Sequence, residues 1–259
     1  MIFYIVVEKI NKGAAMEKII TINNLKNFTY SNHHLITGTI KGIVVDFFGL
    51  GAGYMINEDS FTSKYYAERN ILFLVPYNNP WAWMNKQAID YTDEIMDVIF
   101  EHFQLDEKTP IVSSGGSMGG QSALVYTRYA KRQPVACVTN CPVCDMVYHY
   151  TERVDLPRTL YSAFFNENCS LNEALESYSP LHLAPTMPRI KYFLFHCSAD
   201  TAVNIDKHSR KLVNAMQTLG YDISFTVVPD KGHCDLGDEI YQKYIGICAN
   251  AIAQSLQLA

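Results

Sequence analysis

The stretch Ile111-Val112-Ser113-Ser114-Gly115-Gly116-Ser117-Met118-Gly119-Gly120-Gln121-Ser122-Ala123-Leu124 constrains this chain more than any other. A short apolar run gives way to small residues, and a helix-compatible segment follows. Gly115-Gly116-Ser117-Met118-Gly119 has the spacing Gly-x-Ser-x-Gly, which predicts a strand turning sharply into a helix with Ser117 at the tip. Glycines flank the serine at that spacing because a Cβ there would strike the neighbouring strand and helix. The helix would aim free N–H groups and a partial positive charge at the turn, where an oxyanion could develop. Three fixed residues also recur by chance, and such a turn can be plain packing. A phosphate loop is disfavoured because no Gly-Lys-Ser/Thr follows.

A catalytic serine needs a base, and the base needs an orienting carboxylate. In an open α/β sheet both belong on loops at the carboxyl ends of later strands. Two loops qualify. His196-Cys197-Ser198-Ala199-Asp200-Thr201-Ala202-Val203 follows one apolar run, and Pro229-Asp230-Lys231-Gly232-His233 follows another. The order Ser, Asp, His is the one expected when the nucleophile sits on such a turn.

The 259 residues allow one large α/β domain or two small ones. Beyond about residue 40 strand and helix patterns alternate, which predicts a mainly parallel sheet with helices on both faces. Strands are expected over Gly42–Phe48, Asn70–Pro76, Pro110–Ser113, Pro134–Thr139, Ile190–His196 and Ile223–Val228. Helices are expected over Ser60–Glu68, Asn85–Phe103, Met118–Arg132, Asp206–Leu219 and Glu239–Leu256, with Asp206 capping its helix. Ahead of them Lys18–Ile22, Phe28–Tyr30 and Leu35–Ile40 read as short strands. Ile2–Val7 reads as a first strand or as part of an extension ahead of Met16. Residues 140–188 break the alternation and carry many aromatics, so they read as a mostly helical, cap-like insertion. The expected organisation is an N-terminal extension with first strands over 1–41, a core over 42–139 and 189–259, and the insertion at 140–188.

A net charge of −5 leaves no basic stripe for nucleic acid, and no apolar run approaches a membrane span. No export signal is evident, and the seven cysteines do not suggest a disulfide framework, so a cytoplasmic location is expected. Cys141-Pro-Val-Cys144 has redox spacing but lacks the usual helix start, and no second ligand pair supports zinc. Neither cofactor nor metal is expected.

These motifs resemble the α/β-hydrolases, and more narrowly the catalytic domain of the prolyl oligopeptidase family and its single-domain esterase relatives. The resemblance runs over roughly residues 40 to 255. It is carried by Gly115-Gly116-Ser117-Met118-Gly119-Gly120, Ser179-Pro180, His196-Cys197-Ser198-Ala199-Asp200-Thr201-Ala202-Val203 and Gly232-His233. Cys197 stands where the family usually has glycine. The resemblance implies Ser117 as nucleophile, His233 as base and then acid, and Asp200 as the carboxylate that fixes the imidazole. His196, His149 and His182 are rival bases, whereas His33, His34, His102 and His208 read as surface or helix residues.

Of the two backbone donors an oxyanion hole needs, the first is expected at Met118. The second is expected in the loop after the Gly42–Phe48 strand, with Leu50 first and Gly49 next. The family often carries His-Gly there, and here Phe48 replaces the histidine. Asp46, inside an apolar run, needs a partner that the sequence does not name. Tyr54, Trp81 and Trp83 are candidate substrate contacts, although such rings commonly serve as an insertion's own core.

The chain has no room for the propeller of full-length family members, which favours an esterase acting on a small ester over a short-peptide hydrolase. A small serine peptidase or amidase is the second reading, and a catalytically silent binding protein on a hydrolase fold is the third. Oligomeric state is left open. A histidine base predicts an acid limb in kcat/KM at a pH of about 6 to 7.

Overall fold

The protein is described from a computed structural model covering residues 19–258. Seven strands form one sheet: β1 (Thr29–Ser31), β2 (Gly42–Phe47), β3 (Ile71–Pro76), β4 (Ile111–Gly116), β5 (Ala136–Asn140), β6 (Lys191–Cys197) and β7 (Asp222–Val228). Their spatial order is β1-β3-β2-β4-β5-β6-β7. All pairings are parallel except β1 against β3. The expected mainly parallel sheet is present, and β4, which leads into Ser117, lies at its centre.

Side chains alternate across the strands, so each central strand feeds two cores. Ile43, Val45, Leu72, Leu74 and Cys137 face one side, under α2 (Lys86–Phe103), α3 (Met118–Tyr129) and α8 (Ser209–Thr218). Val44, Ile71, Phe73, Val112 and Val138 face the other, under α1 (Phe61–Ala67) and α9 (Gly237–Leu258). Helix α2 begins where the Asn85 side chain accepts from the Ala88 amide, and ends where Gln104 turns left-handed at φ 50°. No helix among the described residues is long and apolar enough to cross a membrane.

Four short helices occupy the region between β5 and β6: α4 (Met146–Glu152), α5 (Leu156–Phe164), α6 (Leu171–Ser177) and α7 (Pro180–Leu183). They bury Met146, Leu156, Leu160, Phe164 and Leu175 together with Trp83 and Met118, beside the turn after β4. The two ends of this region are stitched to each other. Leu181 N–H and Ser179 Oγ donate to the Cys144 carbonyl at 2.8 and 3.1 Å, and Met146 N–H donates to Ser179 Oγ at 3.1 Å.

Three local expectations differ from the structure. Lys18 and Ile2–Val7 lie outside the described residues. Ile19–Ile22 form no strand, because the Asn24 side chain accepts from the Thr21 amide and donates to the Ile19 carbonyl, bending the chain. Leu35–Ile40 is also not a strand. His33–Leu35 is a 3-10 turn, and Gly38 is tied to the Asn70 side chain at 3.0 Å. Asp206 is not a helix cap: the helix starts at Ser209, and Asn204 accepts from the Asp206 and Lys207 amides in the turn before it.

Candidate active site

Ser117 sits between β4 and α3 with φ 60° and ψ −123°, a left-handed backbone that a serine adopts only when its surroundings hold it. They do so from several directions. The Ser117 amide donates to the Asn140 carbonyl at 2.9 Å, and the Ser117 carbonyl accepts from Val143 and Gln121. The Tyr244 hydroxyl accepts from the Gly115 amide and donates to the Val138 carbonyl. A Cβ at Gly119 would collide with the Phe47 carbonyl, and one at Gly115 with the Gly119 carbonyl, so only glycine permits the turn.

The three residues expected to act together do meet. Ser117 Oγ is 2.8 Å from His233 Nε2, and His233 Nδ1 is 2.7 Å from Asp200 Oδ2. The other oxygen of Asp200 accepts from the Ala202 and Val203 amides at 2.8 and 3.0 Å. The Asp200 side chain is fully buried, whereas 29% of the His233 side chain is exposed. Burial disfavours the charged carboxylate, but hydrogen bonds from His196, His233 and Val203 outweigh it and hold Asp200 far below the usual carboxylate range. Burial likewise works against a charged His233, yet Asp200 and the nearby Cys141 sulfur raise its pKa to about 9. The ring is therefore a strong base held in one orientation, with one nitrogen turned to the serine.

The rival histidines are engaged elsewhere. His196 is buried, with Nδ1 2.7 Å from Ser209 Oγ and Nε2 3.0 Å from the Val203 carbonyl and 3.4 Å from Asp200. It approaches the same carboxylate oxygen that His233 meets. His149 pairs with Glu152 and His182 with Ser179. His208 is not a surface residue. It is fully buried, its Nδ1 accepts from the Cys144 and Asp145 amides, and its Nε2 faces Glu152.

The amides of Gly49, Leu50 and Met118 donate to no protein acceptor among the described residues. Gly49 lies against the turn: a Cβ there would stand 4.0 Å from the Ser117 Cβ. Leu50 packs on the cluster that contains Met118 and Trp83. Asp46 finds its partner in the Ser114 hydroxyl, while burial pushes its carboxyl up to about 6. Tyr54 is 64% exposed and packs on Phe48 at 5.1 Å, next to Gly49. Trp81 is half-buried under the Arg158 guanidinium at 5.1 Å. Trp83 departs from its expected place as a substrate contact. It is 1% exposed, its indole N–H donates to Thr159, and it packs edge-on to His149 in the core of the helical region.

Two neighbours of the site escaped the sequence reading. Cys141 and Cys234 both approach His233, and Cys141 Sγ also accepts from the Cys197 amide at 3.3 Å. A hydrogen bond from Cys234, with smaller help from His233, His196 and Cys197, lowers the Cys141 thiol against the effect of burial. Their separation in sequence gave no signal, because the contact exists only once β5 and the loop after β7 are adjacent.

Solved structures share this architecture. Puromycin hydrolase matches with a TM-score of 0.67 at 14% identity over 83% of this chain, and dipeptidyl peptidase 4 of Porphyromonas gingivalis with 0.64 at 16% over 82%. This chain spans about a third of the length of each, 34% and 31% respectively. Esterase 2 of Thermogutta terrifontis matches with a TM-score of 0.60 at 17% identity, over 87% of this chain and 86% of the esterase. Comparison with curated proteins finds no match. These likenesses establish an α/β-hydrolase fold. The sequence profile of the prolyl oligopeptidase family matches residues 81–245, well over half of the chain. With that match laid over a sheet, a strained serine turn and a buried carboxylate of this arrangement, the chain belongs to the prolyl oligopeptidase family of serine hydrolases.

Proposed function

We propose that the protein hydrolyses carboxylic esters of small or medium size through an acyl-enzyme on Ser117. The observation that carries this reading is the continuous hydrogen-bond chain from Ser117 Oγ through His233 to Asp200. As Ser117 Oγ bonds to the acyl carbon, its proton passes to His233 Nε2, and Asp200 keeps the opposite N–H oriented. The negative oxygen of the tetrahedral intermediate is received by the Met118 amide and by that of Leu50 or Gly49. Collapse breaks the ester C–O bond, and the departing alcohol takes the proton from His233. Water then attacks the acyl-enzyme, giving its proton to His233, which returns it to Ser117 as the acid leaves.

The end-to-end likeness to a similarly sized esterase favours ester substrates. Family membership and the likeness to a dipeptidyl peptidase favour a second reading, a peptidase acting on short peptides. Tyr54 and Trp81 are proposed to border the substrate, since Tyr54 flanks the loop that carries Gly49. Hydrolysis of p-nitrophenyl acetate should be measurable and should fall about 10⁴-fold or more in Ser117→Ala. A fluorophosphonate probe should label Ser117, and label on any other residue would overturn the assignment. Rates on aminoacyl-4-nitroanilides against matched esters decide between the two substrate classes.

A further inference from the structure

Two thiols beside the triad have no part in that cycle. Cys141 follows the carboxyl end of β5, fully buried, and Cys234 is the half-buried neighbour of His233. Their sulfurs and a ring nitrogen of His233 lie within 4.8 Å of one another, and Cys234 Sγ is 3.7 Å from His233 Nε2. In a tetrahedral zinc centre, with Zn–S near 2.3 Å and Zn–N near 2.0–2.1 Å, such donors stand about 3.6–3.8 Å apart. The spacing is thus close to what the ion requires, and closing the set takes movements of about 1 Å or less. Two sulfurs and an imidazole form a soft donor set that selects zinc over magnesium or calcium.

Two other groups of donors among the described residues behave differently. In the first, Cys141, His196 and Asp200, both His196 nitrogens and Asp200 Oδ2 are already engaged by Ser209, the Val203 carbonyl and His233. In the second, His149, Glu152 and His208 also lie close enough to surround an ion. There, however, His208 Nδ1 already accepts from two amides, and Glu152 Oε2 already binds both rings. An ion would have to break that network. At Cys141 and Cys234 it would replace thiol protons, with the long Cys234 contact to the Asn140 carbonyl at 3.7 Å, and the hydroxyl contact of His233.

We propose that Cys141, Cys234 and His233 bind a thiophilic divalent cation of the zinc type, which switches the hydrolase off by occupying its general base. The switch rests on the assignment of His233 above, whereas the binding does not. The Nε2 lone pair that holds the Ser117 hydroxyl at 2.8 Å is the one the ion takes. Serine then has no acceptor for its proton. Water or Ser117 Oγ completes the fourth position. As the two metal–sulfur bonds and the metal–nitrogen bond form, the thiol protons and the proton that His233 Nε2 carries below its pKa leave to solvent, and no electron changes hands.

The test is zinc titration of the wild type, Cys234→Ala and Cys141→Ser, with bound zinc read by competition against a chromophoric chelator and hydrolysis of p-nitrophenyl acetate followed in the same samples. The wild type should bind one zinc per chain, lose activity in proportion, recover with EDTA and ignore magnesium. Losing even an outer-shell partner costs about 10–100-fold in metal affinity. Cys234→Ala, its metal-free rate measured first as the reference for inhibition, should therefore need at least about 100-fold more zinc for both binding and inhibition. Cys141→Ser, with its fold checked by thermal midpoint, should show the same loss of binding. Equal zinc affinity in the three proteins, or zinc bound with hydrolysis untouched, would overturn the proposal. A wild type without hydrolytic activity sinks the catalytic assignment and the switch together, and the binding comparison then decides the metal site alone.

Discussion

Two carboxylates in this molecule each stand between two histidines. Asp200 Oδ2 is 2.7 Å from His233 and 3.4 Å from His196. Glu152 Oε2 is 2.6 Å from His149 and 2.8 Å from His208. The chemical groups are nearly the same, but the fourth partner differs. The far nitrogen of His233 meets a serine hydroxyl on a half-exposed face, whereas the far nitrogen of His208 accepts two backbone amides in the interior. Burial keeps His149 below its ordinary pKa in spite of Glu152, whereas Asp200 lifts His233 to about 9. A carboxylate beside a histidine is therefore not enough to make a base. The ring must also have a free lone pair aimed at something that can lose a proton, with solvent nearby.

The comparison breaks if the two carboxylates respond alike to loss of charge. Asp200→Asn should lower kcat on the ester substrate by about 10⁴-fold, because the amide no longer fixes the working tautomer of His233. Its thermal midpoint serves as the check that the fold survives. A fall of less than about tenfold would place Asp200 outside the machinery.

A pH profile sharpens the same contrast. The proposed attack by Ser117 needs a neutral His233 Nε2, so kcat/KM should fall as pH drops through the pKa of the ring, about tenfold per unit. With that pKa raised to about 9, the decline begins above neutrality, not at the pH of about 6 to 7 expected of an unperturbed histidine. A limb in that lower range would show that Asp200 and Cys141 together do not retain the imidazolium.

The smallest effect on rate belongs to Glu152→Gln, which should leave kcat unchanged and lower stability by about 2 kcal/mol, or a midpoint shift of about 5 °C. Burial opposes the Glu152 charge, but His149 and His208 hold its pKa far below the usual range. Its contribution is therefore present at neutral pH and lost as pH falls below that range. Melting curves of variant and wild type should converge in acid, and a constant gap would contradict a charged Glu152.

The trio of Ser117, His233 and Asp200 was legible because its constraints are local. Gly115 and Gly119 are fixed by close backbone approach, and Asp200 and His233 each follow a strand whose apolar run can be read directly. The alternation of strand and helix patterns along the chain likewise announced the two-faced sheet, in which Ile43 and Val45 lie on one side and Val44 on the other. What could not be read depends on juxtaposition. His208 looked like a helix residue, and only the return of the chain past Glu152 and Cys144 buries it. Asp206 looked like a cap, but Asn204 makes the turn ahead of the helix. Trp83 lost its expected place on the site wall to the helices that close over it. The Cys141-Pro-Val-Cys144 spacing, set aside as a redox or zinc motif, gave no hint of where Cys141 goes. The two thiols point to opposite faces of the sheet, and the neighbour that gives Cys141 its chemistry is Cys234.

The hydrogen bonds that join Cys144 and Met146 to Ser179 and Leu181 bring the start and finish of the helical region side by side. The sheet therefore meets that region across one fixed gap, and a segment filling residues 147–178 must keep the contacts that Glu152 makes with His208 and Thr159 with Trp83. Lengthening a closed excursion of this kind costs only about 0.6 kcal/mol per doubling. Those residues are a natural junction for transplantation: a different helical segment, joined at the same seam, would give the Ser117 face new walls while its strands keep their register.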